Sequence, residues 1–169
     1  LVIVQSTTLI NDGEWHHVAI SKSGSGANEV NLYIDGNLED SGTDANAVAN
    51  LNSLIGRMNN GGSSRNLPGS IDDLRIWNIS RTEAEIQSNM FTCLSGSESG
   101  LVAFYDFEDG TGSSTLTDLT SNGNDGTLSL GMDPATDWVD GADVCSSCSL
   151  EMSTTATVTI NPIANQTVS

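Results

Sequence analysis

The chain is poor in basic side chains. Across 169 residues, 5 Lys and Arg stand against 22 Asp and Glu, for a formal charge of -17. A surface of that sign repels phosphate backbones and anionic lipid, which argues against nucleic acid as a partner. It suits solubility outside the cell, and it leaves carboxylates that could hold divalent cations, which take hard oxygen ligands. The sequence also lacks any apolar run approaching the roughly 20 residues that span a bilayer, so membrane insertion is not expected. No signal-peptide pattern and no initiator methionine stand at the start. Leu1-Val-Ile-Val reads as a strand cut from a longer protein, so the expectation is an interior fragment.

Cysteine is scarce and odd in number: Cys93, Cys145 and Cys148. An odd count leaves one thiol unpaired or intermolecular. Cys145-Ser-Ser-Cys148 lies in a Ser-rich stretch and not at a helix start, where a thiolate would be stabilised. No second CxxC and no nearby histidine completes a zinc site. A structural disulfide from Cys93 to one of the later pair is the preferred reading. Catalytic motifs are missing as well. There is no Gly-x-Ser-x-Gly elbow, no metalloprotease helix and no phosphate loop. Acids for glycoside hydrolysis are available by number, but that chemistry needs a walled cleft and one carboxyl of raised pKa, and nothing marks such a pair. The expectation is a protein that is not an enzyme.

What the sequence does contain is alternation. Hydrophobic content is a modest 37%, and Gly, Ser, Thr and Asn are abundant, which suits short strands and many turns. Glu14 to Lys22 and Asn28 to Asp35 read as a hairpin. In the first, Val18 and Ile20 alternate with His17 and Ala19. In the second, Val30, Leu32 and Ile34 alternate with Asn31 and Tyr33. Asp12-Gly13 and Asp35-Gly36 mark turns. Leu1 to Ile10 reads as a further strand, Gly36 to Asn50 as loop, Leu54-Ile55 as a short apolar run, and Met58 to Leu67 as loop closed by Pro68-Gly69. Gly69 to Asn78 is a strong strand, apolar on both faces, as in the interior of a sandwich. Ser80-Arg-Thr-Glu83 has the form of a capping box and opens one short helix near 81–90, with Ala84, Ile86 and Met90 on its apolar side. Leu101 to Phe107 is a strand, Asp118 to Gly126 a turn cluster, and Thr127 to Leu130 a short strand. This pattern predicts an all-β, antiparallel jelly-roll β-sandwich with a single helix.

Five blocks carry a family resemblance: Glu14-Trp-His-His-Val-Ala-Ile, Leu32-Tyr-Ile-Asp-Gly, Leu54-Ile-Gly, Gly69-Ser-Ile-Asp-Asp-Leu-Arg-Ile-Trp-Asn, and Ser80-Arg-Thr-Glu-Ala-Glu-Ile. In order and spacing they resemble the laminin-G-like jelly-roll domains of the concanavalin A-like lectin/glucanase superfamily, whose relatives sit in secreted bacterial multidomain proteins. Leu101-Val-Ala-Phe-Tyr-Asp-Phe and the turn cluster after it look like an edge segment of the same family. The expected organisation is a laminin-G-like sandwich over 1–142, N-terminally incomplete, then a linker over 143–152 and the start of an immunoglobulin-like module over 153–169. A sandwich short of strands would expose an apolar face.

Candidate chemistry lies in the acidic loops. Asp118, Asn122, Asn124 and Asp125 bring several side-chain oxygens together, and Gly123 and Gly126 let the backbone turn. Calcium wants six to eight oxygens in flexible geometry. The alternative is an Asx-stabilised turn without metal. The spacing is not that of an EF-hand, because Ser129 stands where the twelfth-position carboxylate would be. Asp72 shares a strand face with Leu74 and Ile76, so its carboxylate needs a partner. The resemblance implies a structural Ca2+ held by Asp72 and the 118–125 loop, with Asp106 a weaker third contributor. His16 and His17 are adjacent on a strand and face opposite sides, so they cannot form a pair in one site. One is expected beside the core with its ring hydrogen-bonded, the other more exposed. Trp15 and Trp77 are expected to serve packing before sugar stacking. The function implied is a non-catalytic, secreted or cell-surface binding module for a carbohydrate or protein ligand, flanked by other β modules of a larger adhesin-like or carbohydrate-active protein. The alternatives are a spacer domain or an accessory domain of a glycoside hydrolase.

Overall fold

The computed structural model describes residues 4–23, 28–44, 54–60, 63–128 and 132–142. The chain runs β1 (Val18–Lys22), β2 (Asn28–Ile34), β3 (Asn37–Asp44), β4 (Arg57–Asn60), β5 (Ser63–Asn66), β6 (Leu74–Trp77), α1 (Glu83–Asn89), β7 (Leu101–Tyr105), β8 (Thr115–Leu116) and β9 (Gly126–Thr127). Among the described residues all pairing is antiparallel: β1-β2-β3 in one sheet, with β4-β5, β6-β7 and β8-β9 as two-stranded ladders. Among the described residues the protein is mostly β with one helix, in keeping with a concanavalin A-like β-sandwich.

The hairpin of β2 and β3 turns on Asp35 and Gly36, whose φ values of 50° and 78° are those of a two-residue primed turn. Only glycine suits position 36 for a second reason. A Cβ there would lie 2.9 Å from Cγ of Gln87 on the helix. This hairpin corrects the expectation of a loop from Gly36 onward. Strand β3 (Asn-Leu-Glu-Asp-Ser-Gly-Thr-Asp) carries almost no apolar signal because it is the polar outer strand of its sheet. The segment expected as a first strand is also corrected. Residues 4–10 form no strand, and Glu39 and Asp40 of β3 hold them instead by accepting from Gln5 N, Thr7 N and Thr8 N. Likewise β4 and β5 form a ladder where loop was expected.

Strand β1 reverses its expected faces. Val18 and Ile20 are 49% and 68% exposed, although Ile34 and Leu32 directly opposite them are buried. β1 lies at the edge of its sheet, so cover over β2 does not extend to it. The other face of β1 is the engaged one. Ser21 is buried, and its hydroxyl bonds to Ser80 Oγ at 2.8 Å and donates to the Arg81 carbonyl at 2.7 Å. That contact occupies Ser80, and the helix cap falls two residues later than expected. Thr82 is the N-cap, accepting from Glu85 N, while the Glu85 carboxylate accepts from Thr82 N at 2.8 Å.

Strand β6 is shorter than expected and, among the described residues, pairs with β7 alone. A bulge between Ile76 and Trp77 breaks its alternation, and Ile76 is left exposed. β7 supplies the best-covered side chains, with Leu101, Ala103, Phe104 and Tyr105 all buried and Phe104 the largest fully buried one. Ala103, Tyr105 and Leu116 form one core cluster, against which Leu74, Phe107 and Trp138 pack.

Arg75 ties these parts together. The last turn of α1 contains no basic residue, and Arg75 of β6 supplies the charge from outside. Its Nη1 donates to the Asn89 carbonyl at 2.7 Å and its Nη2 to the Thr92 carbonyl at 2.8 Å, which brings a charged donor to carbonyls at and just past the helix end. The Asp73 carboxylate takes the other edge of the guanidinium in a two-pronged contact. The guanidinium also lies over the Phe104 ring, 5.8 Å from its centre. One side chain therefore links β6, the helix and the β7 core.

Candidate functional site

The 118–125 loop does come together, but around its own backbone. Asp118 is buried, and its Oδ1 accepts from Phe104 N at 3.1 Å and Thr120 N at 3.0 Å. Its Oδ2 accepts from Thr120 Oγ1 and Asn124 N, both at 2.9 Å. Burial alone pushes the carboxyl up, but the backbone donors of Thr120, Asn124 and Phe104 outweigh it and hold the group below the usual carboxylate range. Asp125 turns inward as well and accepts from Asp118 N at 2.9 Å. Asn122 and Asn124 both donate their amides to the Val102 carbonyl, at 2.9 and 3.0 Å, and the Asn124 carbonyl accepts from the Tyr105 hydroxyl at 2.5 Å. The loop is thereby fastened to β7 along its length.

Asp72 belongs to a different corner. Its Oδ1 accepts from Asp73 N at 2.8 Å, and it accepts from Ala142 N as well. Residue 141 lies so close that a Cβ there would meet Asp72 Oδ2 at 2.4 Å. Burial, then the charges of Asp73 and Asp106, push the Asp72 carboxyl up against those backbone bonds. Asp106 itself accepts from Glu108 N. No hydrogen bond joins Asp72 to the 118–125 loop among the described residues.

A calcium ion needs six to eight oxygens with lone pairs to give. Here both Asp118 oxygens already accept two donors each, and the two asparagines present N–H groups to a carbonyl. Among the described residues no three His, Cys, Asp or Glu side chains are grouped so as to hold a metal. The donor set, so arranged, does not fit the expected cation. It fits the Asx-stabilised turn.

The histidines behave differently from the expectation. His16 makes both of its ring bonds, Nδ1 to Asp35 Oδ2 at 2.9 Å and Nε2 to Asp12 Oδ1 at 3.1 Å. Both rings are half-buried, yet His17 Nδ1 has no hydrogen-bond partner among the described residues. Burial, then the nearby Arg75, pushes the His17 ring below its ordinary value. Of the tryptophans, Trp77 is half-buried under the Arg81 guanidinium, which stacks 3.6 Å from the ring centre and occupies one face of the ring. Trp15 is 48% exposed and so is not the core residue expected. Trp138, not singled out in the sequence, donates from Nε1 to the Ser113 carbonyl and packs on the core cluster. Cys93 is exposed just past the helix, while Cys145 and Cys148 lie outside the described residues, as do the expected linker and following module.

Two groupings escaped the sequence reading: the Arg75–Asp73 anchor and the Asp12–His16–Asp35 bridge. The first left no local signal, because the helix end it caps is remote in sequence. The second left a partial one, since Asp12-Gly13 and Asp35-Gly36 were legible as turns that a histidine side chain could join.

An antiparallel β protein whose polar groups gather in turns at the strand ends has the build of the lectin-like sandwiches. The family model of the concanavalin A-like lectin/glucanases superfamily, in its laminin-G type, matches residues 2–87, about half of the chain. The chain belongs to this laminin-G-like family. No curated protein and no solved structure is significantly similar to it. No helix among the described residues is long and apolar enough to cross a membrane.

Proposed function

We propose that this chain is a non-catalytic binding module, for a carbohydrate or protein ligand, within a secreted or cell-surface protein of adhesin-like or carbohydrate-active type. The family supports the coarser reading, since its superfamily comprises lectins as well as glucanases. One observation favours the lectin side. The carboxyl pushed upward among the described residues, Asp72, is the kind of group a glycosidase would use as its acid. It lies against residue 141 and accepts from the Ala142 backbone, so part of its reach is already taken up by the chain itself. The strong negative charge suits an extracellular surface. Calcium is not a premise of the reading.

Immobilised protein screened against glycans and against extracellular matrix proteins, with and without EDTA, tests it. Saturable binding to either class supports the module reading, and loss of that binding in EDTA would restore a cation. Turnover of a polysaccharide would overturn the non-catalytic reading. Silence on every surface, with the fold intact by circular dichroism, would leave the spacer role in its place.

A further inference from the structure

His16 sits between two carboxylates that come from different turns. Asp12 belongs to the turn before β1, where its Oδ1 also accepts from Glu14 N at 3.0 Å. Asp35 begins the two-residue turn between β2 and β3. Its Oδ1 accepts from His17 N at 2.9 Å while its Oδ2 faces His16 Nδ1. A carboxylate oxygen can only accept, and a neutral imidazole has one N–H. With both ring nitrogens within 3.1 Å of a carboxylate oxygen, only the doubly protonated ring makes both contacts. A neutral ring turns one of them into a meeting of lone pairs.

We propose that His16 is a protonation-controlled latch. As the imidazolium it ties the Asp12-Gly13 turn to the β2–β3 hairpin turn, and on losing its proton it releases one of them. The charged groups that act on the ring are Asp35 first and Asp12 second, and together they push it above its ordinary value. Burial moves the neighbouring His17 downward, with Arg75 adding to that shift and Asp73 and Asp35 opposing it. The midpoints of two adjacent histidines are therefore displaced in opposite directions, and only the upper one works the latch. The sign follows from linkage. A histidine raised in the folded state stabilises fully below the unfolded midpoint of about 6.5, and that contribution fades as pH rises through the folded midpoint. The latch is closed in mild acid and opens toward alkaline pH.

The test is a titration of the nitrogen-15-labelled full chain, reading imidazole nitrogens and amide exchange from about pH 5 to about pH 9, a range that brackets the ordinary histidine midpoint. His16 should keep both N–H groups at a pH where a free histidine has lost one, and His17 should already be neutral there. Protection of the Glu14 and His17 amides, corrected for intrinsic exchange, should fall in step with His16. Asp12→Asn and Asp35→Asn should each lower the His16 midpoint. Asparagine tolerates the φ of 50° at position 35, so that variant preserves the turn. Should it fail to fold, the wild-type titration and Asp12→Asn still decide the matter. A His16 midpoint at or below the ordinary value, or amide protection indifferent to its titration, overturns the latch.

Discussion

Replacing Asp118 separates a backbone clasp from a cation site. The carboxylate accepts from three backbone N–H groups, those of Phe104, Thr120 and Asn124, and from the Thr120 hydroxyl. Asp118→Ala strips the acceptor from all of them in a buried place. A buried donor left unsatisfied costs about 1–3 kcal/mol, and relaxation with water entry will recover part of the sum. We therefore expect a loss of about 3–5 kcal/mol, a large share of the ~5–15 kcal/mol that holds a typical domain together. Asp118→Asn keeps one acceptor oxygen, enough for Phe104 N and Thr120 N, but sets an NH2 against Asn124 N. It should cost about 1–3 kcal/mol. The Thr120 hydroxyl can rotate to accept, so it adds little.

Urea denaturation of the full chain, with calcium and with EDTA, measures both values. The clasp reading requires Ala to cost clearly more than Asn, with neither number moving on chelation. If EDTA alone lowers wild-type stability and both variants abolish that sensitivity, Asp118 faces a cation and the reasoning fails. The pH dependence offers an independent check. A carboxyl held below its unfolded value contributes stability that is complete above about pH 4 and is lost as pH falls through the lowered midpoint. Both variants should flatten that acid limb.

Other expectations follow from single contacts. Gly141→Ala puts a methyl group onto the Asp72 carboxylate and should destabilise by roughly 1–3 kcal/mol. Asp72→Ala should cancel much of that cost in a double-mutant cycle, and an additive cycle would show that the two do not touch. Phe104→Ala removes the largest fully buried side chain and the ring beneath Arg75. A loss of about 3–5 kcal/mol by thermal or urea unfolding is expected, and a loss under about 1 kcal/mol would show the core to be misplaced. If Cys93 pairs with Cys145 or Cys148, thiol titration of denatured, unreduced monomer should find one free thiol per chain, and three would exclude the bridge.

The strands legible in advance were those that carry apolar alternation over a covered face. β2 was such a strand, with Val30, Leu32 and Ile34 buried as expected. β7 was located correctly, and its alternation set Ala103, Tyr105 and Phe107 on the face that joins the core cluster, but it gave no sign that Phe104 on the opposite face is buried as well. β3, β4 and β5 were illegible because their sequences are polar. What defines them is pairing across a turn, and polar residues on outer strands leave no hydrophobic trace. The helix was found, yet its cap was assigned two residues early, because Ser80-x-x-Glu83 and Thr82-x-x-Glu85 both satisfy the capping pattern. The choice between them is made by Ser21, 59 residues away from Ser80 in the chain. The 118–125 loop was recognised as a cluster, while the destination of its oxygens depended on β7, whose backbone donors and carbonyls no local pattern displays.

The acidity of the chain takes a different meaning from these contacts. A fold of short strands and many turns leaves numerous backbone N–H groups outside ladders, and each needs an acceptor. Aspartate suits turns because its carboxylate reaches an N–H close by in the chain. Asp12 does this for Glu14, Asp106 for Glu108 and Asp133 for Ala135. Asp109 and Asp118 do it across longer spans, for Thr117 and Phe104. A carboxylate used in this way is anchored and hydrogen-bonded, with fewer lone pairs left for a cation. Charge count alone therefore overstates the capacity of such a protein for divalent ions. Part of the surplus of acids is explained by the donor requirement of its turns, which aspartate meets while adding the charge that favours solubility.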